Sequence, residues 1–92
     1  MAILTIGEYR DAKSTAKGFI TEQQVDFTGG VAQSDPFNAD TRHIRVCSDV
    51  AHRWVIGESP TATSSSQRRP ADAVEYHDVD PGKSWRISVL AE

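Results

Sequence analysis

Apolar and polar residues alternate along two consecutive stretches in the middle of the chain. Within residues 43–47, Ile44 and Val46 fall on one side of an extended backbone, and the other three residues fall on the opposite side. After a Ser-Asp pair, Trp54 and Ile56 repeat the same spacing. The pattern predicts two antiparallel strands joined by a tight turn, and this hairpin is the clearest structural signal in the sequence.

Shorter patterns of the same kind predict strands on both sides of the central hairpin. The first ten residues suit either a short strand at 2–6 or one helical turn near 6–11. A glycine pair and an Asp-Pro-Gly triplet mark turns, and Asp35-Pro36 favours an edge strand or bulge with Phe37 in the core. The other predicted strands cover residues 19–27, 31–39, 74–79 and 83–90.

The choice of apolar residues supports an all-β fold. Eight Val and six Ile stand against two Leu and one Met, whereas a helical core of this size would rely on Leu. With about five to seven short strands, the expected architecture is a small antiparallel β-sandwich or barrel of jelly-roll or Greek-key type. The predicted core residues are Val25, Phe27, Phe37, Ile44, Val46, Trp54, Ile56, Val74, Tyr76, Trp85, Ile87 and Val89.

A length of 92 residues predicts one domain with extended parts. Residues 1–18 are interpreted as an N-terminal segment or arm, because residues 11–18 lack any large apolar side chain, and residues 19–92 as a single β domain. Residues 57–70 are rich in Ser and Thr, which predicts a long mobile loop. A domain this small is marginally stable alone, so an oligomer interface or a partner would help to hold it.

Charge and cysteine content narrow the classes of partner. The formal net charge of -3 argues against a surface built to neutralise nucleic-acid phosphates. Cys47 is the single cysteine and cannot form an internal disulfide, which fits a reducing cytoplasm. The sequence shows no signal-peptide pattern and no apolar run of the length that a membrane span needs. We therefore expect neither a nucleic-acid partner nor a membrane anchor.

Catalytic and metal-binding arrangements are not recognisable in the sequence. The three histidines His43, His52 and His77 lack the spacing that pre-places two ligands, and two of them fall on predicted outward faces. A nucleophile based on Cys47 or Ser59 has no supporting motif, since the sequence around Ser59 is not a nucleophile elbow. We expect no enzymatic activity, no cofactor and no metal site.

Several segments together resemble a group of small virion proteins of tailed bacteriophages, often encoded near the major capsid protein. The similar segments are LTIGEY at Leu4–Tyr9, RHIRVCSDV at Arg42–Val50, WVIGESPTAT at Trp54–Thr63 and VEYHDVDPGKSWRISVL at Val74–Leu90. The similarity is one of strands and turns and includes no catalytic signature. The chain departs from the pattern at Ser66–Arg69, where relatives tend to carry an apolar residue.

The resemblance implies a phage capsid decoration, or cement, protein. Such a protein binds the outside of the head and stabilises contacts between major capsid protein subunits, and it would be a homo-oligomer, as a dimer or trimer. It would be made in the cytoplasm of the host bacterium and end in the virion. The alternatives are another virion part, such as a tail, neck or baseplate component, and a host-glycan binding module; a third hypothesis is an enzyme or metal protein.

Contacts with the capsid or with neighbouring subunits would use the arm, the loop and the C-terminal tail. The basic pair Arg68-Arg69 suits an acidic surface on a partner, because guanidinium groups match carboxylates in geometry, although simple solvation explains it as well. The candidate contact residues are Tyr9, Arg10, Lys13, Lys17, Glu58, Arg68, Arg69 and Glu92.

Overall fold

The computed structural model describes residues 2–10 and 16–91, and within these ranges the chain forms eight strands in two four-stranded sheets. All strand pairings are antiparallel. The strands are β1 (Ile3–Tyr9), β2 (Phe19–Asp26), β3 (Ala32–Gln33), β4 (His43–Ser48), β5 (His52–Gly57), β6 (Arg68–Arg69), β7 (Glu75–Asp78) and β8 (Arg86–Ala91), with a short 3-10 turn at Ala16–Gly18.

The two sheets face each other as a sandwich and do not close into a barrel, so the all-β prediction is confirmed in its sandwich form. The first sheet has the order β2-β1-β4-β7 and the second has the order β3-β8-β5-β6. If β2 is counted as the first strand and β1 as the last, these orders become 1-8-3-6 and 2-7-4-5. That arrangement is a jelly roll whose final strand comes first in the chain.

The core lies between the sheets, where the alternating apolar residues of the inner faces meet. Most of the predicted core is buried, while Ile56 and Trp85 pack against it with part of their surface exposed. The N-terminal strand adds Leu4 and Ile6, which are fully buried and were not among the predicted core residues. The strand alternative for the first residues is therefore the one that forms.

The prediction of a central β4–β5 hairpin is wrong, because the two strands belong to different sheets. β4 is bonded to β1 and β7, whereas β5 is bonded to β8 and β6. The short connection after Ser48 carries the chain from one sheet to the other. Both are interior strands with an apolar inner face, so the prediction that each segment is a strand was correct. The prediction that the two strands pair with each other was not.

The prediction that Val74 and Tyr76 point into the core is also wrong. Both side chains are exposed, and Glu75 and His77 of β7 face inward instead. β7 is the edge strand of its sheet, and its inner side meets Arg69 and Trp54 of the opposite sheet. Inward-pointing charges on an edge strand are one way in which proteins prevent unwanted strand addition.

The N-terminal segment is largely integral to the sandwich. β1 lies between β2 and β4 and is hydrogen-bonded on both sides, so residues Ile3–Tyr9 do not form an arm. The remainder of the predicted arm follows Tyr9, and residues 11–15 lie outside the described residues. The backbone N–H of Arg10 donates to the carbonyl of Gly18 at 2.8 Å.

The Ser/Thr-rich loop is held by contacts within the chain. Ala62 is buried, and its backbone N–H donates to the hydroxyl of Ser88 on the outer side of the second sheet at 2.8 Å. The amide of Gln33 donates to the carbonyl of Pro60 at 2.6 Å, and the guanidinium of Arg53 donates to the carbonyl of Ser66 at 2.7 Å. The loop therefore covers part of the outer face of the second sheet through contacts within the chain.

Candidate interaction surface

The outer face of the first sheet carries a group of aromatic side chains that come from four different strands. In the strand register, Tyr9 of β1 lies beside Phe19 of β2 on one side and beside His43 of β4 on the other. Tyr76 of β7 lies close by along the same sheet and stacks on His43. Directly opposed residues in an antiparallel sheet project to the same face. These four residues form one surface, which we call the aromatic face.

Tyr9 and Phe19 form one half of the aromatic face. Their rings meet edge to face, with 5.6 Å between centroids and 67° between planes. The Tyr9 ring extends over Gly7, where a β-carbon on Gly7 would lie 3.2 Å from Cε1 and 3.4 Å from Oη of the tyrosine. Gly7 thus leaves the space that the tyrosine ring occupies, and Phe19 beside it remains 47% exposed.

His43 and Tyr76 form the other half. Their rings are nearly parallel at 15°, with 5.8 Å between centroids. His43 is the buried ring of this pair, and its Nδ1 is 2.9 Å from Oδ1 of Asp78, the residue opposite it on β7. Tyr76 is 54% exposed and is the most accessible ring of the aromatic face. The two ring pairs fix the aromatic side chains before any partner is present, which reduces the entropy lost on binding.

A second cluster closes the opposite edge of the sandwich, between β6 and β7. The guanidinium of Arg69 lies 4.6 Å from the centre of the Trp54 ring and also pairs with Glu75. The Nε2 atom of His77 is 3.1 Å from the same Glu75 oxygen, and the His77 ring meets Trp54 edge to face at 5.0 Å. These contacts tie the two edge strands together through charged side chains rather than through apolar packing.

Replacing Arg69 by alanine should lower the free energy of unfolding by about 1–3 kcal/mol, because it removes the cation from the Trp54 ring and leaves Glu75 without its guanidinium partner. The measurement is urea unfolding followed by tryptophan fluorescence. Arg68→Ala is the matched control, since Arg68 is the exposed neighbour in the same short strand. Equal losses in the two variants would contradict the role assigned to Arg69.

A polar network lies at the other edge, where β1, β2 and the segment after β3 meet. Glu8 is only 2% exposed and accepts hydrogen bonds from the backbone N–H of Asn38 at 2.7 Å and from the hydroxyl of Thr41 at 2.8 Å. The side-chain amide N–H of Gln23 donates to the second carboxylate oxygen of Glu8 at 3.2 Å and to the carbonyl of Asp35 at 3.2 Å. The side-chain oxygen of Gln23 accepts a hydrogen bond from the backbone N–H of Asp35 at 2.9 Å. Four of these residues, Glu8, Gln23, Asp35 and Asn38, line part of an open polar cavity of about 340 Å³.

The predicted contact residues fall into separate groups. Tyr9, Arg10 and Lys17 lie together, because Arg10 bonds to the residue after Lys17, and this group adjoins Phe19 of the aromatic face. Arg10 and Lys17 are exposed, whereas Tyr9 is half-buried. Among the predicted contacts that lie in the described residues, Tyr9 belongs to the aromatic face, and Arg10 and Lys17 lie next to it.

The remaining predicted contacts lie elsewhere. Glu58 follows the last residue of β5, whereas Arg69 pairs with the first, so they are about 20 Å apart along that strand. Arg68 is exposed, but Arg69 is engaged with Trp54 and Glu75 inside the sandwich and is not available to a partner. Lys13 and Glu92 lie outside the described residues.

The histidines are dispersed among these features. His43 belongs to the aromatic face, His77 belongs to the β6–β7 cluster, and His52 is buried with its Nδ1 2.8 Å from the carbonyl of Val50. Among residues 2–10 and 16–91, no three His, Cys, Asp or Glu side chains are placed to hold a metal ion.

Four residues that project to the outer face of the first sheet were not among the predicted contacts: Phe19, His43, Tyr76 and Arg45, which lies opposite Tyr76. The alternation in β4 does assign His43 and Arg45 to the outer face, and that signal could have found them. For Tyr76 the sequence pattern indicated the wrong face, so no local signal pointed to it.

Comparison with known proteins finds no matching family model, no matching curated protein and no matching solved structure. No helix in the described part of the chain has the length and hydropathy needed to cross a membrane. A function for this chain is therefore inferred from its own residues and from the resemblance described above.

Proposed function

We propose that the protein is a structural binding module, and more specifically a decoration protein that binds the outside of a phage head and stabilises contacts between major capsid protein subunits. The observation that carries the proposal is the aromatic face. A rigid sheet presents Phe19 and Tyr76, each about half exposed, on a surface that no other part of the described chain covers. Exposed aromatic side chains that are held in place are typical of protein-binding surfaces.

The jelly-roll sandwich suits a structural role of this kind. The body is stiffened by interior strands, and the long loop is fixed on the second sheet, while Phe19 and Tyr76 of the first sheet are exposed among the described residues. A shell offers many equivalent docking sites, and an oligomeric decoration protein would engage several at once, so that modest single contacts add up. The resemblance to phage virion proteins supplies the choice of a capsid as the partner.

Co-sedimentation with expanded heads that lack the protein tests this proposal. We expect saturable binding of the purified chain, and we expect the double substitution Phe19→Ser with Tyr76→Ser to weaken that binding by about tenfold or more. The matched control is Val31→Ser, because Val31 is an exposed large apolar residue outside the aromatic face. Absence of binding by the unaltered protein would contradict the capsid role.

The second candidate is another virion part or a host-glycan binding module. Its supporting observation is the Tyr9 ring, which extends over Gly7 on the outer face of the first sheet, as an aromatic platform for a sugar would. Immunogold labelling of intact particles separates the candidates: labelled heads agree with the decoration role, whereas labelled tails favour the second candidate.

A further inference from the structure

Arg45 of β4 projects to the same outer sheet face as the four residues of the aromatic face. It lies opposite Gly7 of β1 on one side and opposite Tyr76 of β7 on the other, so all three project to the outer face of the first sheet. The space over Gly7 is filled by the Tyr9 ring. The half-buried Arg45 side chain therefore emerges between two tyrosine rings.

Arg45 has no acceptor among the described residues, although a guanidinium offers five N–H donors. The strand register places two carboxylates, Asp78 and Glu22, on the same face, and neither is paired with Arg45. Asp78 is engaged with His43. Glu22 lies opposite Gly7 on the far side of β1, about 10 Å away across two strand spacings, with the Tyr9 ring between. The donors of Arg45 thus face outward, toward whatever covers the aromatic face.

Two further cations lie at the Tyr9–Phe19 end of the face, beyond the row that pairs Tyr9 with His43 and therefore on the side away from Arg45. Arg10 and Lys17 are exposed beside Tyr9 and Phe19, and neither has an ion-pair partner within the described ranges. The whole chain is acidic, with a formal net charge of -3, so cations that lack an ion-pair partner among the described residues are a local property of this surface. A partner that complements it carries carboxylates next to apolar groups.

We propose that the aromatic face binds an acidic segment of a partner protein, in which a Glu or Asp side chain forms a two-pronged contact with Arg45. Neighbouring apolar side chains of that segment pack against Tyr76 and Phe19. Guanidinium and carboxylate groups match in a planar pair of hydrogen bonds, which lysine cannot form. This inference rests on the proposed function, because it gives the chemistry of the partner at the same surface.

The test is an NMR titration of the protein at low ionic strength with the blocked peptide Leu-Glu-Pro-Glu-Leu. We expect shifts of the Arg45 side-chain Nε–H and of the Tyr76 ring, and an affinity at least about tenfold lower for Arg45→Gln. Arg86→Gln is the matched control and should bind as the unaltered protein does, since Arg86 is a half-buried strand arginine of the second sheet.

Two further probes test whether the peptide carboxylates are required and whether a free phosphate ion can replace them. The peptide Leu-Lys-Pro-Lys-Leu should not shift the Arg45 resonance, and inorganic phosphate should shift it only at much higher concentration than the acidic peptide. Equal affinity for the lysine peptide, tighter binding of phosphate, or unchanged peptide binding by Arg45→Gln would overturn the inference. If peptide binding fails while heads are still bound through Phe19 and Tyr76, the proposed function stands and only the acidic-partner inference falls.

Discussion

Replacing Phe27 by alanine should lower the free energy of unfolding by about 3–5 kcal/mol. The Phe27 side chain is 1% exposed directly after β2, and its ring lies 6.4 Å from that of His52 in the opposite sheet. Truncation removes a large apolar group from between the sheets and leaves a cavity that the rigid strands cannot fill. In urea unfolding, the transition midpoint should fall by about 2–3 M.

Phe19→Ala provides the matched control for this prediction, because Phe19 is the same residue type at the other end of β2 but is 47% exposed. We expect it to cost less than about 1.5 kcal/mol, mainly through the lost contact with the Tyr9 ring. A loss for Phe19→Ala as large as that for Phe27→Ala would mean that the sandwich core has been placed wrongly. The pair therefore tests the fold and also checks that Phe19 can be altered without unfolding the protein.

Replacing Glu8 by alanine should cost about 2–4 kcal/mol, although the substitution removes a charged residue from the interior. The backbone N–H of Asn38 and the hydroxyl of Thr41 both donate to one carboxylate oxygen, and alanine leaves both donors without that acceptor. The measurement is urea unfolding, with hydrogen exchange of the Asn38 amide as a local probe that should speed up.

Glu22→Ala is the control for the Glu8 prediction. Glu22 lines the same cavity but is exposed, and none of the described residues is hydrogen-bonded to its side chain. Its substitution should change the free energy of unfolding by no more than about 0.5 kcal/mol. Similar losses for the two variants would show that net charge around the cavity matters more than the buried hydrogen bonds.

Local alternation predicts most of the strands because each strand follows its own side-chain period of two. It placed Ile44 and Val46 of β4, and Ile87 and Val89 of β8, on the inner faces where they lie. The same alternation carries no information on which strand is the neighbour. The β4–β5 connection was predicted as a hairpin for this reason, although the chain crosses between sheets there.

The error at β7 has a different origin. By hydrophobicity, Tyr76 belongs inside and Glu75 outside, and the fold reverses both. Glu75 is satisfied by the guanidinium of Arg69, which in turn rests on the Trp54 ring, and both of these residues belong to the opposite sheet. An environment supplied by other strands cannot be deduced from the period of one strand.

The aromatic face could not be assembled from the sequence for the same reason. Its side chains come from β1, β2, β4 and β7, and their adjacency depends on the order of strands in the first sheet. Tyr9 was expected to make contacts as part of the N-terminal segment, residues 1–18. In the folded chain, Tyr9 is part of the aromatic face, and the residues beside it, Phe19 and His43, come from β2 and β4.

Hydroxyl-radical footprinting of the protein on phage heads tests most directly whether the aromatic face is the docking surface. We expect Phe19 and Tyr76 to be oxidised several-fold more slowly on the particle than in the free protein, while Val31, which lies outside the aromatic face, reacts at the same rate in both. Unchanged oxidation of Phe19 and Tyr76 on decorated heads, together with protection of Val31, would contradict the proposed docking through the first sheet.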